Sequence, residues 1–241
     1  MRFDVFEYTN QGGRGYNEDS VAYTIQEDNG LFVVADGLGG HSFGELASAC
    51  VCETLTKDWS GSFGVNPGEW LSNQIRKANE NILEIQKEKG KVLKSTVVAL
   101  AVEGNKAFWA NVGDSRLYFI ANREIAGYTN DHSVAYKKFK AGEITREQIG
   151  QDEDQSCLLR SLGGEDRNEA EVYSADVALQ PGDGFMLCSD GIWEYLKDDE
   201  VLIDMLKSTD AKQWGEQLLM RVLHRVKPEH DNLTIMTVMV Y

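Results

Sequence analysis

Leu31-Phe32-Val33-Val34-Ala35-Asp36-Gly37 is a short apolar run that stops abruptly at an acid and a glycine. Its length, its valines and its aromatic residue read as a strand. The same punctuation recurs in Phe108-Trp109-Ala110-Asn111-Val112-Gly113-Asp114-Ser115-Arg116 and in Phe185-Met186-Leu187-Cys188-Ser189-Asp190-Gly191. A fourth acid, Asp231, stands in His230-Asp231-Asn232, immediately before the last apolar run.

Outward from these runs, Thr96–Val102, Ala107–Val112, Arg116–Ile120, Phe185–Cys188 and Leu233–Val240 read as further strands, as do Met1–Tyr8 and Ser20–Ile25. Phe43–Trp59 carries Leu46, Ala49, Cys50 and Leu55 at helical spacing. Pro67 opens a second helix, whose stripe of Trp70, Leu71, Ile75, Ala78, Ile82 and Ile85 ends at Gly90. Two more helices are expected near Asp198–Lys207 and Ala211–Val226. The order is strands, two helices, many strands, two helices and one long strand. Without strict β-α-β alternation a doubly wound parallel sheet is disfavoured, and an α+β fold of antiparallel sheets carrying two helices per face is expected. The polar stretch from about 132 to 163, with helical fragments at Val134–Ala141 and Thr145–Ile149, reads as an excursion from the sheet.

The 241 residues include only three prolines, at 67, 181 and 228, and no Pro/Ser-rich linker, so one domain spanning 1–241 is expected. Lys and Arg total 24 against 39 Asp and Glu, a net charge of -15, which disfavours nucleic acid and anionic membrane as partners. The four cysteines (50, 52, 157, 188) match no zinc pattern. No signal peptide or membrane-length apolar run is read, so a cytoplasmic location is expected.

One Asp–Gly pair is an ordinary turn. Three at the ends of apolar runs, together with Asp231, point to a shared site. An Asp at a strand end is held rigidly, and a neighbouring glycine lets the backbone turn and expose a carbonyl. Gathered carboxylates repel one another, and hard divalent cations such as Mg²⁺ or Mn²⁺ relieve that repulsion. Upstream, Arg14-Gly15-Tyr16-Asn17-Glu18-Asp19 sets a guanidinium beside two acids, and its fork matches phosphate oxygens. Metal with arginine suggests phosphoryl chemistry, while a surface Arg–Glu pair is the plain alternative.

Together these motifs resemble the metal-dependent protein Ser/Thr phosphatases of type 2C, particularly bacterial members. The matching elements are Arg14…Asn17-Glu18-Asp19, Asp36-Gly37-Leu38-Gly39-Gly40-His41, Gly113-Asp114-Ser115-Arg116-Leu117-Tyr118, Asp131-His132-Ser133, Ser161-Leu162-Gly163-Gly164, Pro181-Gly182-Asp183, Ser189-Asp190-Gly191 and Asp231-Asn232, spanning nearly the whole chain. The resemblance implies a four-layer α/β/β/α sandwich, with 132–163 as a mobile flap beside the site. It implies hydrolysis of phosphoserine and phosphothreonine by a water bridging two Mn²⁺ or Mg²⁺ ions. Asp36 would bridge both ions and Gly37 would give one a carbonyl. Glu18 would serve that ion directly or through water, with Asp19 accepting behind it, and Asp190 and Asp231 would complete the other. Asp114, with Asp190, would hold a third, weaker ion. Arg14 would bind the substrate phosphate.

The expected partners are phosphorylated proteins and a counteracting Ser/Thr kinase, and monomer is the default. Some eukaryotic relatives place a histidine directly after the Asp–Gly pair to protonate the leaving group. Here that position is Leu38, and His41 reads as fixing the loop or capping the next helix, so the acid is unassigned. His132 is expected to hydrogen-bond at the flap's start. The alternatives are a pseudophosphatase that binds phosphoproteins without hydrolysis, or a metal-dependent hydrolase of small phosphate esters.

Overall fold

A computed structural model describes residues 1–39, 43–57, 59–164, 168–175 and 177–241. The chain runs β1 (Phe3–Asn10), β2 (Asp19–Gln26), β3 (Asn29–Leu38), α1 (Gly44–Thr56), α2 (Pro67–Lys89), β4 (Lys94–Ser95), β5 (Val97–Glu103), β6 (Lys106–Val112), β7 (Arg116–Ala121) and β8 (Glu124–Tyr128). It continues with α3 (Val134–Lys140), a 3-10 turn (Arg146–Gln151), β9 (Glu171–Ser174), β10 (Gly184–Cys188), α4 (Asp190–Trp193), α5 (Asp198–Lys207), α6 (Ala211–Arg225) and β11 (Leu233–Val240).

Every strand pair is antiparallel. One sheet has the order β1-β11-β10-β7-β8 and the other β2-β3-β5-β6-β9, with β4 on β3. The sheets face each other across a core of Phe32, Val34, Leu100 and Trp109 from one and Leu117, Phe119, Phe185 and Val238 from the other. Phe119 and Phe185 stack at 4.7 Å between ring centroids. Outside the second sheet, Leu31, Val33 and Ala99 pack under α1 and α2; outside the first, Tyr118, Met186 and Ile235 pack under α5 and α6. Strands β5, β7, β10 and β11 are therefore covered on both faces. That is why they read as unbroken apolar runs instead of alternating ones. The fold is the expected four-layer α+β sandwich.

Local chemistry sets the helix bounds. The Asn66 side chain accepts from the Gly68 and Glu69 N–H groups, Pro67 holds the first helical position, and Gly90 closes α2 at φ +64°. Asp210 caps α6 by accepting from Gln213 N–H.

The stretch 132–163 is tied into the fold more closely than the sequence suggests. Ala135, Tyr136 and Ile149 are buried in the core under the first sheet. Val134 N–H donates to the Cys157 carbonyl, and Leu162 pairs with Ser95. The polar residues that mark it as an excursion cover its outer side, where Lys138 holds Asp152 and Asp154, each at 2.8 Å.

Candidate active site

The acids converge because four separate segments carry them to the same edge of the sandwich. Asp36 lies inside β3, not at its end, because the strand continues to pair Gly37 and Leu38 with β4. Its backbone is clamped: its N–H donates to Thr96 Oγ1 at 3.0 Å, and its carbonyl accepts from Thr96 N–H at 2.8 Å and from Ser95 Oγ at 3.1 Å. Asp19 is its direct cross-strand partner, so both carboxyls share one face of the sheet. Gly37 is needed for close approach: a Cβ there would lie 2.1 Å from the Gly44 carbonyl oxygen and 2.5 Å from that of Glu18.

Asp114 follows Gly113, whose φ of +105° turns the chain out of β6. Trp193 Nε1 donates to the Asp114 carbonyl at 2.9 Å and fixes the turn from the far side. Asp190 opens α4 directly behind β10. Asp231 precedes β11. Glu18 Oε1 accepts from Gly44 N–H at 3.0 Å, at the start of α1, where a carboxylate suits the helix dipole.

Arg14, Glu18, Asp36, Gly37, Asp114, Asp190 and Asp231 all line one cavity of about 640 Å³ with Gly15, Tyr16, Leu38, Gly39, Ser156, Leu158 and Asn232. Asp19 sits just behind it, its Oδ2 accepting from Ser189 Oγ at 2.7 Å. Every site residue expected from sequence is thus at this cavity or against its wall. Gly40 and His41 lie outside the described residues. Leu38, at the position directly after the Asp–Gly pair, lines the cavity.

The crowding leaves an electrostatic signature. Burial first, then Asp19, Asp190, Asp114 and Asp231, push the Asp36 carboxyl well above the ordinary carboxylate range. Asp114 is raised likewise, by burial and by Asp190. Burial lifts Asp19 to about 7, and burial with the charge of Asp231 lifts Asp190 to about 6. Oδ1 of Asp19 and Oδ1 of Asp190 are buried with no hydrogen-bond partner in the described structure. Buried oxygens without donors, beside like charges, call for cations. An all-oxygen donor set matches hard ions such as Mn²⁺ and Mg²⁺. Among the described residues no three acidic, His or Cys side chains stand in a ready-made ligand shell. Asp231 is turned onto Arg14, which holds it with two hydrogen bonds at 3.1 and 2.8 Å.

Sequence reasoning gave Asn232 no role, yet it stitches the site together. Its Oδ1 accepts from Glu18 N–H at 2.8 Å, and its Nδ2 donates to the Gln11 and Tyr16 carbonyls at 2.8 and 2.9 Å. Its place next to Asp231 was the signal. His132 hydrogen-bonds as expected: Gly113 N–H donates to its Nδ1 at 3.2 Å, and its Nε2 meets Glu171 at 3.1 Å. Gln155 Nε2 reaches Asp190 Oδ2 from the 132–163 stretch at 3.5 Å.

The chain is 30% identical to the serine/threonine phosphatase stp of Listeria welshimeri over 232 residues, 93% of this chain and 90% of that protein. Its fold superposes on Staphylococcus aureus Stp1, a serine/threonine phosphatase, with a TM-score of 0.87 and 27% identity, covering 100% of this chain and 96% of that one. The catalytic domain of the phosphatase PstP, solved in complex with two manganese ions, shares the fold at a TM-score of 0.80 and 24% identity, covering 98% and 97%. Residues 13–226 match protein phosphatase 2C, and with the whole-length likeness to the Listeria enzyme this establishes that the chain belongs to the protein phosphatase 2C family.

Proposed function

We propose that the chain is a metal-dependent protein phosphatase that removes phosphate from phosphoserine and phosphothreonine in other proteins. The observation that carries this reading is the cavity itself: Glu18, Asp36, Asp114, Asp190 and Asp231 line it together with Arg14. When bound, two divalent cations supply neutralising charge for the phosphoryl oxygens and a water acidic enough to attack near neutral pH.

Asp36 would serve both cations, the Gly37 carbonyl and Glu18 would hold one of them, and Asp190 and Asp231 the other. Asp114 and Asp190 would be the donors for a third, weaker one. Asp19, fastened to Ser189, would stand behind Asp36 as an acceptor. Arg14 offers its fork to two phosphate oxygens, which steadies charge that grows as the ester bond breaks. A pure phosphoprotein binder would gain nothing from these crowded carboxylates, which favours hydrolysis over a pseudophosphatase.

The reading also has the chain act as a single catalytic domain over 1–241, with 132–163 as its flap. It acts as a cytoplasmic monomer opposed by a Ser/Thr kinase. No helix among the described residues is long and apolar enough to cross a membrane. The test is phosphate release from a phosphothreonine peptide, which EDTA should abolish and Mn²⁺ restore. Release that persists after thorough chelation contradicts the reading.

A further inference from the structure

The acidic floor of the cavity is ringed by apolar residues that the hydrolytic chemistry does not use. Tyr16, Leu38 and Leu158 line the same cavity as Arg14, and they come from three separate segments: the loop before β2, the end of β3 and the 132–163 stretch. Tyr16 is 61% exposed and Leu38 37%. Among the described residues the Tyr16 hydroxyl makes no hydrogen bond and its ring joins no aromatic pair, so the side chain contributes little to the fold. Its backbone, by contrast, is pinned, because the Tyr16 carbonyl accepts from Asn232 Nδ2 at 2.9 Å. Gly15 beside it has open space where a side chain would stand, which leaves the approach to Arg14 clear.

A single exposed aromatic is common on protein surfaces. A ring on a pinned backbone, two residues from the phosphate-binding arginine and lining one cavity with two leucines, is a contact surface held ready. Whatever enters far enough for its phosphate to meet Arg14 brings its neighbouring groups against this rim. A small phosphate ester has no flanking residues to set against it. A polypeptide has, and the charge of -15 disfavours one with acidic neighbours.

We propose that Tyr16, with Leu38 and Leu158, reads the residues flanking the phosphorylated side chain and selects protein substrates with a bulky apolar residue within two positions of it. This rests on the hydrolase reading above. Covering the rim removes apolar surface from water on substrate binding, so the selectivity resides in KM more than in kcat.

The test uses the full chain with Mn²⁺ and two phosphothreonine peptides that differ only in carrying leucine or glycine beside the phosphorylated residue. The quantity read is the ratio of their kcat/KM values. Wild type should favour the leucine peptide by roughly tenfold, the scale of one buried aliphatic side chain. Tyr16→Ala should bring the ratio near one, and Tyr16→Phe should keep it. The ratio is internal to each preparation, so partial loss of fold or metal lowers both rates and leaves it in place. A wild-type ratio near one, or a ratio unmoved in Tyr16→Ala, overturns the inference alone. Hydrolysis of neither peptide by wild type overturns the phosphatase reading and this inference with it.

Discussion

Arg14 holds Asp231 in a forked pair, Nε to Oδ1 at 3.1 Å and Nη2 to Oδ2 at 2.8 Å, across 217 residues of chain. Asp231 thereby meets a positive charge from the side chain expected to bind phosphate. A phosphate bound by Arg14 would compete with Asp231 for one guanidinium.

Arg14→Ala tests that assignment. The pair is about half exposed, 58% and 41%, so losing it should change stability by less than ~1 kcal/mol. The charge-assisted contact to phosphate is stronger, about 1.5–3 kcal/mol, so kcat/KM on a phosphopeptide should fall roughly ten- to a hundredfold. Arg14→Lys should recover only part, since an ammonium cannot reproduce the fork. Steady-state kinetics beside thermal melts separates the two effects.

Asp36→Asn probes the carboxylate crowding. Wild type should gain about 2.7 kcal/mol from Mn²⁺ at a hundredfold excess over its Kd. Asp36→Asn removes one of the mutually repelling carboxyls, so its metal-free form should melt no lower than wild type. The Mn²⁺ increment, read as a shift in Tm, should largely vanish.

The pH dependence of the chelated protein follows from Asp19 and Asp190, raised from 3.8 to about 7 and about 6. Between about pH 4 and 7 the folded state then holds protons that the unfolded state has released, so these groups make stability fall as pH rises. Melts in EDTA should show that fall, and Asp19→Asn should lessen it. The stabilisation by Mn²⁺ should grow over the same window, because cations and protons compete for the same oxygens.

The buried pair of Arg116 and Asp131 is structural. Nε and Nη2 of Arg116 meet the two Asp131 oxygens at 2.8 and 2.6 Å, and the guanidinium stacks 3.5 Å over the Trp193 ring. Asp131→Ala strands a buried charge and should cost about 3–5 kcal/mol, measured by urea unfolding. Trp193 also donates to the Asp114 carbonyl, so the same change should disturb the Asp114 turn.

Much of this was legible in the amino-acid order. β11 occupies Leu233–Val240 and α5 occupies Asp198–Lys207, as the patterning says, because burial on both faces of the strand and first-turn acids on the helix leave clear marks. β8 and β9 escaped notice: they are sheet edges, where half-buried residues alternate with exposed Glu124, Tyr128 and Val172. Asp36, Asp114 and Asp190 announced themselves by their glycine neighbours. The Arg14–Asp231 fork and the partners of Asn232 could not be foreseen, because each joins segments that only the folded sheets bring together.

The most direct test of the central claim is anomalous scattering from a crystal soaked in Mn²⁺. The account predicts two strong peaks against the Asp36 carboxylate, one shared with the Gly37 carbonyl and the other with Asp190 and Asp231. No peak at Asp36, with the acids of this cavity bound only to protein groups, would contradict it.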